Sequence, residues 1–114
     1  MAHRIKRLCG NRHLPDLTRR AVILVDDGLA CGFTMHTAVD ALHHLAADKV
    51  IVAIPTEHAE AVARIAALVD SLYCPNIHQG MSFNAADAYK QWRDVSEATV
   101  AGIMQSFFGA PHAV

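Results

Sequence analysis

Three short apolar segments, separated by two stretches of helical periodicity, restrict the folds open to this chain. The segments are AVILV at 21–25, VIVAI at 50–54 and SLYC at 71–74. Each is rich in β-branched or large apolar residues, and each is shorter than a typical helix. We expect them to be strands of a parallel sheet, buried on both faces.

The intervening stretches show the three- and four-residue spacing of helices that pack one face on a sheet. The residues that carry the spacing are Met35, Ala38, Val39, Leu42 and Leu45 in the first stretch and Val62, Ile65, Ala66 and Val69 in the second. Strands that alternate with helices and short links predict right-handed crossovers. The fold class is therefore α/β, a parallel sheet with flanking helices. A last helix is expected from Ser96, a good N-cap, with Val100, Ile103, Met104 and Phe107 on one face.

The chain is one domain long. Its 114 residues, 53% of them hydrophobic, are enough to bury a core. Residues 1–20 contain six Lys and Arg residues and no clear period, so we interpret them as a basic N-terminal arm or loop. Residues 21–108 form the predicted α/β domain, and 109–114 form a tail.

Composition excludes several classes of function. A formal charge of −1 gives no electrostatic reason to bind nucleic acid or an anionic membrane. The longest apolar run is far below the roughly 20 residues that span a bilayer, and the N-terminus lacks the apolar core of a secretory signal. The three cysteines are odd in number and widely spaced, which favours free thiols in a reducing cytoplasm.

Two adjacent carboxylates, Asp26 and Asp27, come directly after the first predicted strand. Ligands of open parallel sheets bind beyond the carboxyl ends of the strands, so these side chains lie where hydroxyl groups of a sugar could donate to them. The residues that follow keep side-chain bulk low and let backbone N–H groups approach an anion: Gly28, Ala30 and Gly32. Thr34 adds a hydroxyl and can cap the next helix, whose N-terminus favours a phosphate. The pattern describes a site for a ribose 5-phosphate group.

Two other interpretations of this segment stay open on spacing alone. An Asp-Asp-Gly sequence after a strand is often only a turn, and an acid pair could hold a metal, although no third ligand is near. The eight histidines do not strengthen the metal interpretation. His43 and His44 point about 100° apart on a helix, and we predict no metal site.

At these residues the chain resembles a known family. VILVDDGLACGFT is similar to the phosphoribosyl pyrophosphate (PRPP) signature of type I phosphoribosyltransferases. The resemblance to the group of predicted phosphoribosyltransferases continues through RHLPDLTRRAVILVDDGLACGFTMHTAVDAL and VIVAIPTEHAEAVARIAALVDSLYCP, and more loosely through FNAADAYKQWRDVSEATV. It covers most of residues 12–104 and implies the C-terminal part of a type I phosphoribosyltransferase-like fold.

The resemblance implies roles for individual residues. Asp26 and Asp27 match the acids that bind the ribose hydroxyls of PRPP. The loop that wraps the 5′-phosphate corresponds to Gly28, Ala30, Cys31, Gly32, Phe33 and Thr34. Phe83 matches an aromatic residue that stacks on the base, although Asp87 replaces the glycine expected four residues later, and ordinary packing is the alternative. Cys31 replaces a Thr or Ser whose hydroxyl helps to hold the phosphate, and its thiol is a weaker donor.

The resemblance also implies what a complete enzyme would need. Family members carry further strands and a pyrophosphate-binding loop before the signature, where this chain has only 20 residues. PRPP is used with Mg²⁺, so transfer would require that the missing half come from a partner or a second copy. We therefore expect either a phosphoribosyltransferase that a partner completes, or a non-catalytic binding or interaction module or relic of that fold. An unpaired apolar strand at 21–25 predicts a homodimer or such a partner. The catalytic residues and the acceptor base are not identified.

Overall fold

The computed structural model describes residues 2–28, 32–80 and 84–109. These residues form two compact units. The larger is Pro15–Trp92, and the smaller joins the described residues of both chain ends, 2–14 and 93–109. Among the described residues, no helix combines the length and apolar character needed to cross a membrane.

A three-stranded parallel sheet is the centre of the larger unit. Its strands are β1 (Ala21–Val25), β2 (Lys49–Ala53) and β4 (Ser71–Tyr73), in the spatial order β1-β2-β4. The register aligns Val25 with Ala53 and Ala53 with Tyr73, so the carboxyl ends of all three strands lie at one edge. The predicted α/β class with a parallel sheet is confirmed.

Two helices cover one face of this sheet. They are α2 (Phe33–His44), on the crossover from β1 to β2, and α3 (Ala59–Ala66), on the crossover from β2 to β4. Their buried side chains pack on alternate residues of β2 and form the core, which consists of Met35, Val39, Val50, Val52, Ile54 and Ile65. Successive right-handed crossovers that advance in one direction place their helices on the same face, which is what this core requires.

The opposite face of the sheet is exposed, and the expectation of strands buried on both faces was wrong. We call this surface the open face and define it by Ile23, Val25 and Tyr73, which are 60%, 75% and 63% exposed. The cause is topological, because α2 and α3 both lie on the other side. β1 is also an edge strand that pairs only with β2 among the described strands.

A second, two-stranded parallel sheet continues from the first and was not predicted. It pairs β3 (Thr56–His58) with β5 (Asn76–His78). Pro55 and Pro75 separate these strands from β2 and β4, because a proline has no N–H to donate to the ladder. The Asn76 N–H still bonds to the Pro55 carbonyl at 3.3 Å, so the two chains stay side by side through the break.

The smaller unit consists of two helices, α1 (Ala2–Cys9) and α4 (Glu97–Phe108). Residues 2–9 are therefore helical, whereas we expected an arm or loop. Ile5, Leu8 and Cys9 have helical spacing, but two turns are too few to show a clear period, and Gly10 ends the helix with φ +61°. α4 begins as predicted, because the Ser96 hydroxyl accepts a hydrogen bond from the Thr99 N–H at 3.2 Å.

Candidate functional site

Several polar residues of the larger unit lie at the edge where the parallel strands end. We call this edge the crest and define it as residues 26–28, 54–58 and 74–78. Continuing the β1–β2 register places Gly28 level with Thr56. The packing agrees with this, since a Cβ built on Gly28 would lie 3.3 Å from the Thr56 carbonyl oxygen. The chain therefore leaves β1 alongside β3.

The two carboxylates, Asp26 and Asp27, are the first residues of the crest after β1. The Asp27 N–H donates to Asp26 Oδ1 at 2.8 Å, so the first side chain folds back on the turn. Asp26 is partly buried and Asp27 is exposed. Burial raises the pKa of the Asp26 carboxyl above its usual value, although the hydrogen bond from the Asp27 N–H acts to lower it. The neighbouring Asp27 charge raises the pKa further.

Glycine is required directly after the acid pair. Gly28 has φ +147°, a value that L-residues rarely adopt. A Cβ at this position would also lie only 2.8 Å from the Ala85 Cβ. Ala85 begins the short 3-10 helix Ala85–Ala88, which Asn84 caps by accepting from the Ala86 N–H at 3.2 Å. The turn after β1 is therefore held between β3 and this helix.

The N-terminus of α2 is the other part of the predicted site. Its N-cap is Gly32, with φ +71° and no side-chain hydrogen bond to the helix. Thr34 lies inside the first turn, so its predicted role as a cap was wrong; the left-handed backbone of Gly32 begins the helix two residues earlier. No acidic residue occupies this turn. The end of α2 thus presents N–H groups without a competing carboxylate, an arrangement that favours anions.

Three residues of the predicted site, Ala30, Cys31 and Phe83, lie outside the described residues. The described members Gly28, Phe33 and Thr34 lie on the connection from β1 to α2 or on its first turn. Phe33 is 75% exposed. The assignment of these residues to ribose and phosphate groups stays a prediction.

Sequence reasoning did not find two further groups at the crest. Tyr89 donates its hydroxyl hydrogen bond to the Asp27 carbonyl. Thr56, Asn76 and His78 form a polar cluster in which the Asn76 Nδ2 is 3.3 Å from Thr56 Oγ1 and 3.0 Å from His78 Nε2. The signal for the cluster is a repeated Pro-x-x-His at 55–58 and 75–78, which places His58 level with His78.

Glu57, in β3, carries a buried carboxylate. Its side chain is fully buried, and Oε1 accepts from the His58 N–H at 2.7 Å while Oε2 has no hydrogen-bond partner. Burial raises the pKa of the Cys74 thiol, and the charge of Glu57 raises it further. The Cys74 thiol donates to the Asn76 carbonyl at 3.5 Å. Cys74 is therefore held as a neutral thiol, which is a poor nucleophile.

The histidines at the other end of α2 make local contacts. His43 Nε2 lies 2.9 Å from the Leu68 carbonyl, and His44 Nδ1 lies 2.8 Å from that of Asp40. Within residues 2–28, 32–80 and 84–109, no three His, Cys, Asp or Glu side chains cluster so as to hold a metal ion.

The fold and the crest together define a class, the α/β proteins whose polar residues gather where parallel strands end. The family model of the phosphoribosyl transferase domain matches residues 2–92. The chain belongs to this family, as its sequence suggested. The match ends at Trp92, where the larger unit also ends.

Two relatives carry the name of this family, and two solved structures resemble the chain in fold. Two Mycobacterium tuberculosis proteins, from strains CDC 1551 and H37Rv, are each named "Putative phosphoribosyl transferase" and are 31% identical to the chain over 103 residues. That alignment covers 90% of the chain but 22% of each relative. The crystal structure of TT1426 from Thermus thermophilus superposes with a TM-score of 0.77 at 28% identity, over 92% of the chain and 48% of the neighbour. The AQ2163 protein from Aquifex aeolicus matches 58% of the chain and 33% of its own length, with a TM-score of 0.53 and 25% identity.

The close approach at Gly28 gives a stability prediction. Gly28→Ala forces a methyl group against Ala85, whereas Gly80→Ala places one in open space at a similar φ of +134°. We expect Gly28→Ala to lower the free energy of unfolding by about 1–3 kcal/mol more than Gly80→Ala, the usual range for overpacking. Urea unfolding of both variants measures the difference. Equal losses would show that the backbone angle alone is responsible and that Ala85 does not press on the turn.

Proposed function

We propose that this chain binds PRPP or another ribose 5-phosphate group at the crest, as a phosphoribosyltransferase-like protein. The observation that carries the proposal is the position of two carboxylates between the end of β1 and the N-terminus of α2, which has no side-chain cap. Carboxylates accept hydrogen bonds from vicinal hydroxyls, and a helix N-terminus favours a phosphate, so the two halves suit the two ends of one ligand.

In this proposal each described residue has a chemical task. Asp26 and Asp27 accept hydrogen bonds from the 2′- and 3′-hydroxyls of the ribose. The N–H groups of Gly32, Phe33 and Thr34 surround the 5′-phosphate, and the Thr34 hydroxyl is a further donor. Cys31 and Ala30 belong to the same phosphate loop by sequence, and Phe83 remains a candidate for contact with a base.

Magnesium fits this site only together with its substrate. The described residues contain no cluster of three metal-binding side chains, so they form no binding site of their own for the ion. Mg²⁺ commonly binds through one or two carboxylates and the phosphates of a substrate, and Asp26 and Asp27 could supply the carboxylates. When bound, the ion would neutralise charge on the pyrophosphate leaving group.

Transfer of the ribose 5-phosphate group to a base is proposed for a complete assembly. The chain spans 48% of the length of its T. thermophilus neighbour and 22% of that of its M. tuberculosis relatives. We propose that a homodimer or a partner chain carrying the remaining half supplies the groups that hold the pyrophosphate. The edge of β1 and the open face are where such a chain would add. The free thiols Cys9 and Cys74 are consistent with a cytoplasmic location.

The same observations favour a second candidate function, a binding or interaction module without catalysis. A chain that makes only the ribose and phosphate contacts would bind PRPP without releasing pyrophosphate from it. Pyrophosphate release from PRPP distinguishes the two functions. Multiple turnovers by the purified chain with a purine or pyrimidine base would exclude the module.

Binding of ribose 5-phosphate is the first prediction of this proposal. We expect chemical-shift changes at Gly28 and at Gly32–Thr34 when ribose 5-phosphate is added at millimolar concentration. Asp27→Asn should lower the affinity for ribose 5-phosphate about five- to tenfold, because it removes a charged acceptor of hydroxyl hydrogen bonds. The affinity for inorganic phosphate should stay within twofold of the wild-type value. An unperturbed spectrum, or equal weakening of both ligands, would refute the site.

The raised pKa of Asp26 gives a pH dependence. A carboxyl with a raised pKa takes up its proton at a higher pH than an ordinary one, and the protonated group is a poorer acceptor. We expect the preference for ribose 5-phosphate over inorganic phosphate to fall as the pH drops through the raised pKa of Asp26. Isothermal titration at a series of pH values measures the ratio, in which the titration of the phosphate itself largely cancels. A ratio that changes equally in Asp26→Asn would contradict this origin.

Association of the chain is the third prediction. Light scattering at micromolar concentration should give a mass above the 12.4 kDa of one chain. Val25→Lys should restore the monomer mass, because it places a charge on the open face beside the β1 edge. Leu14→Lys is the matched control, since Leu14 is also 75% exposed but lies outside the sheet. A wild-type chain that stays monomeric and melts cooperatively would rule out self-association.

A further inference from the structure

The segment 84–92 contacts the turn after β1 at two points, Gly28 and the Asp27 carbonyl. Ala85 packs against Gly28, so closely that a Cβ on the glycine would collide with it. One turn further along, the Tyr89 hydroxyl donates to the Asp27 carbonyl, across 62 positions of sequence. The Tyr89 ring is itself held edge-on against Trp92, with ring centroids 5.3 Å apart. A segment distant in sequence therefore holds the turn that carries both carboxylates.

Both polar backbone groups of Asp27 are engaged in the structure. Its N–H donates to the Asp26 carboxylate at 2.8 Å, and its carbonyl accepts from Tyr89. The orientation of these peptide groups decides where the two carboxylates point, because each side chain leaves the backbone next to them. A diol needs two acceptors aligned to within a fraction of an ångström, so small rotations of this backbone weaken its binding.

We propose that Tyr89 is a positioning residue for the ribose-binding carboxylates. The inference rests on the proposed function, since it concerns how Asp26 and Asp27 would face a ribose. Tyr89 acts on the Asp27 carbonyl and touches no ligand. Its hydroxyl fixes the peptide group between Asp27 and Gly28, and through it the direction of both carboxylates. The N-terminus of α2 lies against a different residue, since a Cβ built on Gly32 would lie 3.6 Å from the Ala61 Cβ, and we expect it not to depend on this bond.

Selectivity separates this role from a purely structural one. A general loss of stability would lower the affinity for every ligand of the folded chain by the same factor. At temperatures far below the melting point it would change none of these affinities. Loss of a positioning bond weakens only the part of the ligand that the positioned groups contact. The affected part here is the diol of ribose 5-phosphate, and the unaffected part is the phosphate.

Tyr89→Phe tests the proposal, because it removes the hydroxyl and keeps the ring against Trp92. Thr18→Val is the matched control, since it also removes one hydroxyl, from an exposed residue of the same unit that precedes β1 at the end of the strand opposite the crest. Both variants and the wild type are titrated with ribose 5-phosphate and with inorganic phosphate. We expect Tyr89→Phe to lower the affinity for ribose 5-phosphate about fivefold, which is the effect of one neutral hydrogen bond. The affinity for inorganic phosphate should stay within twofold of the wild-type value. Thr18→Val should change neither.

A measurement without ligand keeps the inference separate from the proposed function. The amide nitrogen of Gly28 is bonded to the Asp27 carbonyl carbon, so its chemical shift reports whether that carbonyl accepts a hydrogen bond. We expect it to move in Tyr89→Phe and to stay in place in Thr18→Val. An unmoved Gly28 signal, or a Tyr89→Phe variant that binds both ligands as the wild type does or weakens both equally, overturns the positioning role. A wild type that binds inorganic phosphate but not ribose 5-phosphate overturns the proposed function, and the positioning role falls with it.

Discussion

The parallel pairing of β1, β2 and β4 is the constraint on which the rest of the larger unit depends. Parallel strands end at the same edge, so residues that are far apart in sequence become neighbours there. Gly28, Thr56 and Asn76 are brought together in this way. The same pairing requires helical crossovers, and two crossovers in one direction put α2 and α3 on one face. The crest and the open face are both consequences of one topology.

Much of the larger unit could be predicted from sequence, because its strands and helices differ strongly in period. β1 was predicted with its observed bounds, β2 and β4 to within a residue, and the cap of α4 at Ser96 was correct. These signals are local: a run of β-branched residues, or a serine before a helix. Local signals survive in a single sequence because they do not depend on what lies across the fold.

The failures involve contacts between distant parts of the chain. Helices cover only one face of the sheet because of where the crossovers pass. A strand with apolar residues on an exposed face has the same sequence pattern as a strand buried on both faces. Tyr89 reaches Asp27 across 62 positions, for which no spacing rule exists. Glu57 is fully buried, although an acid within a polar segment predicts a solvated side chain. The repeated Pro-x-x-His at 55–58 and 75–78 was present in the sequence and was missed.

The open face has a consequence for how the stability of this protein depends on its surroundings. A chain that covers Ile23 and Val25 binds the folded sheet and finds no equivalent surface on the unfolded polypeptide. Its binding free energy is then added to the free energy of unfolding by mass action. The melting temperature of such a sheet rises with the concentration of whatever covers it. Stability becomes a property of the mixture in which the chain is found as much as of its sequence.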